Sequence, residues 1–425
     1  MNIVVFEDAG VTQLHPITLS RPAYAISCAS FRLIDRLLEF ETTTVGLVRP
    51  YLERIQMQDF HELSLELDKD QPMTLMVNAR TAPTVANLAE LNRLYQSDWQ
   101  SSEPKSVLLR SGWAISAALV PTSQLLASEP RQWLAELEST GSHDAAQPEG
   151  QIKLFEYPHD VISENLAAFE SNLAFRIAVD QRGEPRFKEV QPNVFLGRHV
   201  HVSDHVVMDG STGPIIIDDG VKIGPFSFFR GPLYIGPNSK ISEHASIKDG
   251  VSVQHTCKIG GEVEGTILEA YTNKQHHGFL GHSYLGSWIN LGAGTCNSDL
   301  KNTYGTVNME YHGEKVSTGL QFVGCIMGDY AKTAINTSIF TGKTIGVASM
   351  IYGFATTNVP SFVNYARTFN ETGVLPPEVV VTTQKRMFAR RNVEQRPCDI
   401  QLIHDIYQLT AAERADDLSN EPLSL

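Results

Sequence analysis

The feature that most constrains this chain is a run of bulky apolar residues at every sixth position of its second half. A period of six fits neither a lone helix nor a lone strand. It fits a short strand followed by a corner, repeated so that one apolar residue of each repeat points into a shared core. The first run is Ile217, Ile223, Phe229, Ile235, Ile241, Ile247, Val253 and Ile259, and the second is Met327, Thr333, Ile339, Ile345 and Ile351. We therefore predict a parallel β-solenoid over residues 194–375.

The two runs are out of phase with each other, so we expect insertions between residues 260 and 326. An insertion leaves the wall of a solenoid as a loop and is a candidate place for a site. This region contains NKQHHGFLGHSYLGSWINLGAGTCNSDLKNTYG, residues 273–305, which is rich in glycine, histidine and asparagine. On position alone, a flap without function is the alternative interpretation.

The first part of the chain, residues 1–180, alternates between strand and helix patterns. NIVVF, TTTVGLV and MTLMVNA have the pattern of strands, whereas TVANLAELNRLYQ and DVISENLAAFESNLAF have helical spacing. The alternation predicts a mainly parallel α/β sheet with binding sites at the carboxyl ends of its strands. We also predict an exposed loop at 139–150, an interdomain linker at 181–193 and a helical tail at 376–425.

The composition of the chain indicates its cellular compartment and the kinds of partner to expect. The 425 residues carry a formal net charge of −14, which argues against a general nucleic-acid binder. Five scattered cysteines without CxxC pairs favour a reducing compartment and argue against a zinc site. No apolar run reaches the roughly 18 residues of a membrane span, and the N-terminus lacks the pattern of a secretion signal. We therefore expect a cytoplasmic protein that binds neither nucleic acid nor membrane.

An α/β domain followed by hexapeptide repeats resembles the bacterial N-acetylglucosamine-1-phosphate uridyltransferase/glucosamine-1-phosphate N-acetyltransferase family, in its alternative form with a shortened first domain. The resemblance covers nearly the whole chain and is strongest over residues 271–305. It implies a nucleotidyltransferase-like first domain at 1–180 and a left-handed parallel β-helix at 194–375. It also implies a homotrimer and a cytoplasmic enzyme of UDP-N-acetylglucosamine biosynthesis.

In this family a histidine ahead of a Y/F-L-G…N-(I/L)-G-A-G-T run is the general base, and the matching residue here is His276. An imidazole, whose unperturbed pKa is near 6.5, is largely neutral in the cytoplasm and can take the proton of an amine. The resemblance thus implies acetyl transfer from acetyl-CoA to the amine of glucosamine 1-phosphate. For a lone histidine a packed or surface role is the commoner interpretation. We expect His277 and His282 to be structural or to support the residues that contact the substrate.

The resemblance also implies residues that bind the sugar phosphate. Lys248 matches a basic residue that contacts the substrate phosphate, and Arg230, one coil earlier, is the second candidate. For either residue, a solvated cation at a coil corner is the alternative. The family's two tyrosines at this site are replaced by Phe279 and Ser298. The expected ligands of the sugar hydroxyls and amine are Asn290, Asn297 and Lys301.

The second substrate, acetyl-CoA, lies in this family in the groove between two β-helices of the trimer. The sequence does not identify its individual contacts. One candidate for its phosphates is a basic cluster near the C-terminus, although a solvated helix face is the preferred interpretation. The cluster comprises Lys385, Arg386, Arg390 and Arg391.

The first domain departs from the family's nucleotide-binding pattern. In EDAGVTQLHPITLSRPAYAI the loop arginine is replaced by Gln13 and the following lysine by Ala23, while Arg21 is a partial substitute. Of the two metal-binding aspartates, Asp160 is kept and the other position is Arg80. Because Mg²⁺ bridges phosphates through carboxylates, we expect weak nucleotidyl transfer. If the domain does work, Asp160 would hold Mg²⁺, and Arg21 and Arg80 would contact UTP or dTTP.

Three functions from different classes stay open on the sequence. The preferred one is the acetyltransferase. The second is a sugar-1-phosphate nucleotidyltransferase, using UTP or dTTP, whose β-helix serves only to assemble the oligomer. The third is a non-catalytic regulatory or scaffold protein. The presence of His276 and Asn290 disfavours the second and third functions. Gln13 and Arg80, which replace the family's arginine and aspartate, disfavour the second function.

Overall fold

The computed structural model describes residues 1–96, 107–127, 131–134, 151–182 and 184–414. These residues form two compact units. The first unit comprises Met1–Leu14, Arg21–Ile26 and Phe31–Tyr157, and the second comprises His15–Ser20, Ser27–Ser30 and Pro158–Leu425. The predicted loop at 139–150 and the end of the predicted tail, 415–425, lie outside the described residues.

The first unit is built on a five-stranded sheet flanked by short helices. Its strands, in spatial order, are Thr44–Leu47, Asn2–Phe6, Met73–Asn78, Ala114–Pro121 and Val107–Ser111. The first three are parallel, and the last two pair antiparallel. The sheet is therefore mixed rather than mainly parallel, because the chain returns through a hairpin. The helices are Leu33–Leu38, Glu53–Asp59, Val85–Tyr95 and Thr122–Ala127, with 3₁₀ turns at Ala9–Leu14, Ala23–Ala25 and Pro50–Leu52.

The second unit is a left-handed parallel β-helix with three walls. The first wall contains Lys188–Gln191, Val194–Leu196, Ile215–Ile217, Leu233–Ile235, Val251–Val253, Ile267–Leu268, Tyr284–Leu285, Cys325–Met327 and Lys343–Ile345. The second wall contains His201–Val202, Lys222–Ile223, Lys240–Ile241, Lys258–Ile259, Asn273–Lys274, Lys332–Thr333, Met350–Ile351, Val363–Ala366 and Glu371–Val374, with Asn290 bridging its two halves. The third wall contains Val207–Asp209, Phe228–Arg230, Ser246–Lys248, Glu262–Glu264 and Phe279–Gly281, followed by a sheet of Cys296–Asn297, Ser338–Ile339 and Phe354–Ala355.

The core of the β-helix confirms the six-residue period. All of the predicted inward positions are buried, from Ile217 at 0% to Thr333 at 6% exposure. All of them except Thr333 lie in one apolar cluster that runs through the unit. The burial of one mainly apolar side chain per wall and coil explains why the pattern was visible in the sequence.

The change of phase has two sources. In the coils that follow strand Ile215–Ile217 the in-register partners are 18 residues apart, as Phe228 and Ser246 are. Ser246, however, pairs with Glu262, only 16 residues later, so that coil is shorter. Later, an insertion between Asn297 and Cys325 carries an antiparallel hairpin, Asn308–Tyr311 with Glu314–Ser317. Residues 273–297 therefore belong to regular coils, and the insertion begins after them.

The outer face of the first wall is covered by other parts of the same unit. Helix Pro158–Asp180 places the Arg176 guanidinium 4.7 Å from the ring centre of Tyr234. The buried carboxylate of Glu269 accepts hydrogen bonds from the backbone and side chain of Ser27, both at 2.9 Å, and from Tyr284 at 2.7 Å. The corner between the second and third walls, where the histidine-rich stretch lies, carries exposed side chains instead.

The described part of the tail contains two helices, Pro377–Ala389 and Pro397–Leu409, followed by a 3₁₀ turn at Ala411–Arg414. The Phe388 ring packs 4.4 Å from that of Trp288, at a corner of the β-helix. In the described ranges, no helix combines the length and the apolar character that a membrane crossing would require.

Candidate functional site

His276 lies at the corner between the second and third walls. It follows strand Asn273–Lys274 and precedes strand Phe279–Gly281. Its side chain is exposed, as is that of His277, and the described residues offer its imidazole no hydrogen-bond partner. A general base must reach the substrate that it deprotonates, and an exposed imidazole without a partner meets that condition.

The coil beneath this corner carries glycines where a side chain would collide. A Cβ on Gly260 would lie 2.1 Å from the carbonyl oxygen of Gln275, and one on Gly261 would lie 2.9 Å from that of His276. Gly261 also has a φ of +70°, which side chains disfavour. These glycines let two successive coils approach closely, so the backbone of the His276 corner rests directly on the coil below.

The two cations predicted to contact the substrate phosphate already have partners. The Lys248 amine lies 2.9 Å from Glu262 and 3.4 Å from Glu264, on the strand next to it in the third wall. The hydrogen bond that Lys248 donates to Glu262 is the main reason that the pKa of Lys248 is raised. Arg230 forms a two-pronged ion pair with Asp249. A substrate phosphate would share these cations with carboxylates.

The two predicted asparagines differ in their surroundings. Asn297 is buried, and its side-chain amide bonds the neighbouring coil. Its oxygen accepts from the backbone N–H of Gly281 at 2.8 Å, and its nitrogen donates to the carbonyl oxygen of Gly281 and the hydroxyl of Ser283. Asn290 is exposed and lies beside Asn273, whose side chain donates to it at 3.4 Å. Both residues therefore contact the coil that carries His276, but only Asn290 presents its amide to solvent.

Lys301 lies where the insertion leaves the wall, and its amine donates to the carbonyl oxygen of Thr306. The base of the insertion is fixed beside His282. The His282 imidazole bonds Asp299 at 2.8 Å and stacks on the Phe322 ring at 5.2 Å. These contacts attach both ends of the insertion to the coil that carries His276.

The basic cluster of the tail reaches the same coil. Arg391 donates to the side-chain oxygen of Asn273, in the strand that precedes His276. Lys385 and Arg386 lie on helix Pro377–Ala389. The tail therefore brings positive charge to the second-wall side of the corner.

One residue of this corner, Lys274, was not predicted from the sequence. It is 1% exposed, and its amine donates to the carbonyl oxygens of Gly260 at 2.8 Å and His276 at 2.7 Å. Its register partner is Ile259, so a lysine occupies an inward-facing position. That break in the apolar pattern was the available signal.

In the first unit, Arg80 is committed to a buried ion pair. Its guanidinium bonds both carboxylate oxygens of Asp8, at 2.8 and 2.6 Å, and the carbonyl oxygen of Phe155 at 2.8 Å. Asn78 donates to the same carboxylate at 2.8 Å. Arg80 is 5% exposed, so it would have to leave Asp8 to contact a nucleotide phosphate.

The neighbouring carboxylate is neutralised in the same way, because Arg49 bonds both oxygens of Glu7. A cavity of about 170 Å³ lies at the carboxyl end of strand Asn2–Phe6, lined by Glu7, Asp8 and Arg131 among others. Arg21 is also buried. At the place expected for a nucleotide, Glu7 and Asp8 are thus engaged in internal ion pairs.

The described residues of the first unit do not fit a Mg²⁺ site. Asp8, at the carboxyl end of the first strand, is held by a guanidinium, and Mg²⁺ needs carboxylates free to coordinate it. Asp160 belongs to the second unit, in the first turn of helix Pro158–Asp180, 3.6 Å from His159. Within the described ranges, no group of three or more His, Cys, Asp or Glu could hold a metal ion.

Comparison with known protein families indicates the class of the first domain. Residues 3–178 match the family described as sugar nucleotidyl transferase. The first domain is therefore similar to that family, and a hexapeptide β-helix follows it.

The particular relatives are curated proteins named Bifunctional protein GlmU. The protein of Xylella fastidiosa (strain M12) is 24% identical over 264 residues, covering 56% of this chain and 49% of that protein. The protein of Methanococcus vannielii is 30% identical over 152 residues, covering 33% and 34%. The chain thus spans about half the length, or less, of these relatives. The predicted resemblance is confirmed: the chain is similar to the GlmU proteins, and its residues 3–178 match the sugar nucleotidyl transferase family.

Among solved structures, the Arabidopsis UDP-N-acetylglucosamine acyltransferase is similar with a TM-score of 0.28 and 14% identity, covering 55% of this chain and 83% of that chain. A likeness of this size establishes no shared function.

Proposed function

We propose that this protein is a transferase of nucleotide-sugar biosynthesis that acetylates the amine of glucosamine 1-phosphate from acetyl-CoA. The observation that carries the proposal is the exposed imidazole of His276, which has no hydrogen-bond partner among the described residues, within a run that matches the family's base motif. The homology to GlmU proteins supports the same class of reaction.

In the proposed reaction, His276 takes a proton from the substrate ammonium, so that the free amine can attack the acetyl thioester. The carbon–sulfur bond breaks as the amide bond forms, and the thiolate of CoA leaves and is protonated. The oxyanion that develops on the thioester carbonyl needs a donor aimed at it, and backbone N–H groups of the glycine-rich wall would serve.

The charges around the corner suggest how the substrates would be arranged. Asn290 offers an exposed amide to the sugar, and Lys248 offers a cation on the third wall. The cluster of Lys385, Arg386, Arg390 and Arg391 would attract the phosphates of CoA from the second-wall side. We propose a homotrimer in which the groove between two β-helices holds the CoA.

The runner-up is a sugar-1-phosphate nucleotidyltransferase, which the match of residues 3–178 supports. The buried Arg80–Asp8 pair counts against it, because nucleotidyl transfer depends on neutralising a triphosphate. A regulatory or scaffold protein is the third proposal, and the exposed His276 counts against it.

One experiment separates the three proposals. Thiol release from acetyl-CoA is measured with a panel of aminosugar phosphates, alongside pyrophosphate release from UTP and dTTP. We expect thiol release that depends on glucosamine 1-phosphate. Pyrophosphate release without thiol release would favour the nucleotidyltransferase, and neither activity would favour the scaffold.

A further inference from the structure

Lys274 occupies a place in the β-helix that the repeat reserves for an apolar side chain. In the second wall, Ile241 pairs with Ile259, and Ile259 pairs with Lys274, so the three face the core in register. Lys274 is 1% exposed, as completely buried as the isoleucines beneath it. Burying an ammonium is unfavourable unless it is hydrogen-bonded, and an apolar side chain of similar volume is often the more stable choice. Packing alone therefore does not explain a lysine here.

The contacts of its amine explain its position better. The amine donates to the carbonyl oxygen of Gly260, in the coil below, and to that of His276, in its own coil. The two bonds, 2.8 and 2.7 Å long, tie the corner that carries His276 to the coil beneath it. Burial lowers the pKa of Lys274 to about 8, so at neutral pH the amine is still protonated while it makes these bonds.

We propose that Lys274 is a positioning residue that fixes the backbone of His276 and thereby aims its imidazole. The inference rests on the proposed function, in which His276 is the base. The imidazole has no hydrogen-bond partner among the described residues, so its placement depends on the backbone that carries it. Since a misplacement of about 1 Å can reduce a rate by roughly 10²-fold, a clamp on this carbonyl has a catalytic consequence.

The test is the Lys274→Met variant of the full chain, which keeps the volume of the side chain but removes its donors. We expect kcat for acetyl transfer to fall by roughly 10- to 100-fold, while KM for acetyl-CoA changes by less than about twofold. We expect the melting temperature to stay the same or rise, because the buried charge is gone. A merely structural lysine would give the opposite pair of results, a lower melting temperature and an unchanged kcat.

The matched control is Lys332→Met. Lys332 lies in the same wall, its amine donates to the carbonyl oxygen of Tyr330 at 2.8 Å, and burial lowers its pKa to about 8. Its amine makes no described contact with residues 275–278, so its loss should leave kcat unchanged. A second variant, Lys274→Gln, keeps an N–H donor on a shorter side chain and should lose less activity than Lys274→Met.

The His276→Ala variant separates the two ideas. If it is inactive and a folded Lys274→Met has normal kcat, the positioning role is wrong and the proposed function stands. If His276→Ala keeps full activity, the proposed function itself fails. In the double variant His276→Ala/Lys274→Met, the loss of kcat should be no greater than in His276→Ala alone. Without the imidazole, the hydrogen bonds of Lys274 no longer position a catalytic group. Failure of both Lys274 variants to fold would make the lysine a requirement of the coil and would also overturn the positioning role.

Discussion

At the scale of single residues, the His276 corner contrasts with the ions around it. Lys248 is engaged by Glu262 and Glu264, whereas the imidazole of His276 has no partner among the described residues. Ions that are paired are stabilised in place, and a side chain without a partner is available to a substrate. We therefore expect the reaction at this corner to depend on His276 and to be modified by the ion pairs of Lys248 beside it.

The first prediction concerns His276→Ala. Because a general base contributes roughly 10²–10⁴-fold, we expect kcat for acetyl transfer to fall by that amount without a change in oligomer or melting temperature. The reaction is followed by thiol release. His277→Ala is the matched control, an exposed histidine next in sequence, and should keep most of the activity. Turnover near that of the wild type in His276→Ala would make His276 structural.

The second prediction concerns the charge of Lys248. Lys248→Ala should raise KM for the sugar phosphate more than KM for acetyl-CoA, because a cation that would contact the phosphate is removed. Glu262→Gln should act in the opposite direction and lower that KM, because one of the two carboxylates that compete for the amine becomes neutral. Equal changes in both KM values for Lys248→Ala, or no change for Glu262→Gln, would argue against a phosphate at Lys248.

At the scale of elements, the insertion after Asn297 is attached at two places. Its base is held by the contacts of His282 with Asp299 and Phe322. Its hairpin is held by Tyr311, whose hydroxyl lies 3.0 Å from the imidazole of His159 in the first turn of helix Pro158–Asp180. Both attachments use a histidine, but they differ in burial, and the His159 imidazole is almost fully buried.

The third prediction is a pH dependence of stability from His159. Burial lowers its pKa below the ordinary value near 6.5, so between the two values the unfolded chain binds more protons than the folded one. The free energy of unfolding should therefore fall as the pH decreases below about 6.5. Denaturant unfolding of the wild type and of His159→Gln at several pH values measures this, and the variant should show a smaller slope in that window. An identical slope in both would remove His159 as the cause.

At the scale of the whole molecule, the chain joins a sugar nucleotidyl transferase domain to a β-helix that carries the candidate acetyl-transfer corner. In the first unit, Asp8 and Glu7 both form ion pairs with arginines at the carboxyl end of the first strand. Residues 15–20 and 27–30 belong to the second unit. The activity of the first domain is therefore best tested in the full chain.

The fourth prediction is weak or no uridyltransferase activity with Mg²⁺. Nucleotidyl transfer depends on positioning and on neutralising the triphosphate, and the family's loop arginine and lysine are replaced by Gln13 and Ala23. The measurement is pyrophosphate release from UTP and N-acetylglucosamine 1-phosphate by the wild type, Asp160→Ala and Arg80→Ala. Strong activity that both substitutions abolish would mean that the domain works with a rebuilt site.

Much of the fold could be predicted because its signal is local and repeated. Each coil of the β-helix must bury one side chain per wall, so the period of six was readable from residues such as Ile223, Ile241 and Ile259. The strand pattern of the first domain was readable for the same reason, although the antiparallel return of Ala114–Pro121 depends on a pairing that no local pattern specifies.

The candidate site was predicted less completely. His276 could be found because it stands in a long motif, and its role remains a prediction. The partners of Lys248, Arg80 and Asn297 could not be found, because each bond joins residues that are distant in sequence or lie in different coils.

What the sequence by itself determined about this protein is the repeat, the order of its two domains and the family motif around His276, since all three are written in consecutive residues. Only the tertiary structure decided which charges are neutralised and which carbonyls are held. The clamp of Lys274 on Gly260 and His276 shows the physical reason: the depth of a side chain and the identity of its partners depend on how successive coils stack, and the stacking depends on the whole chain.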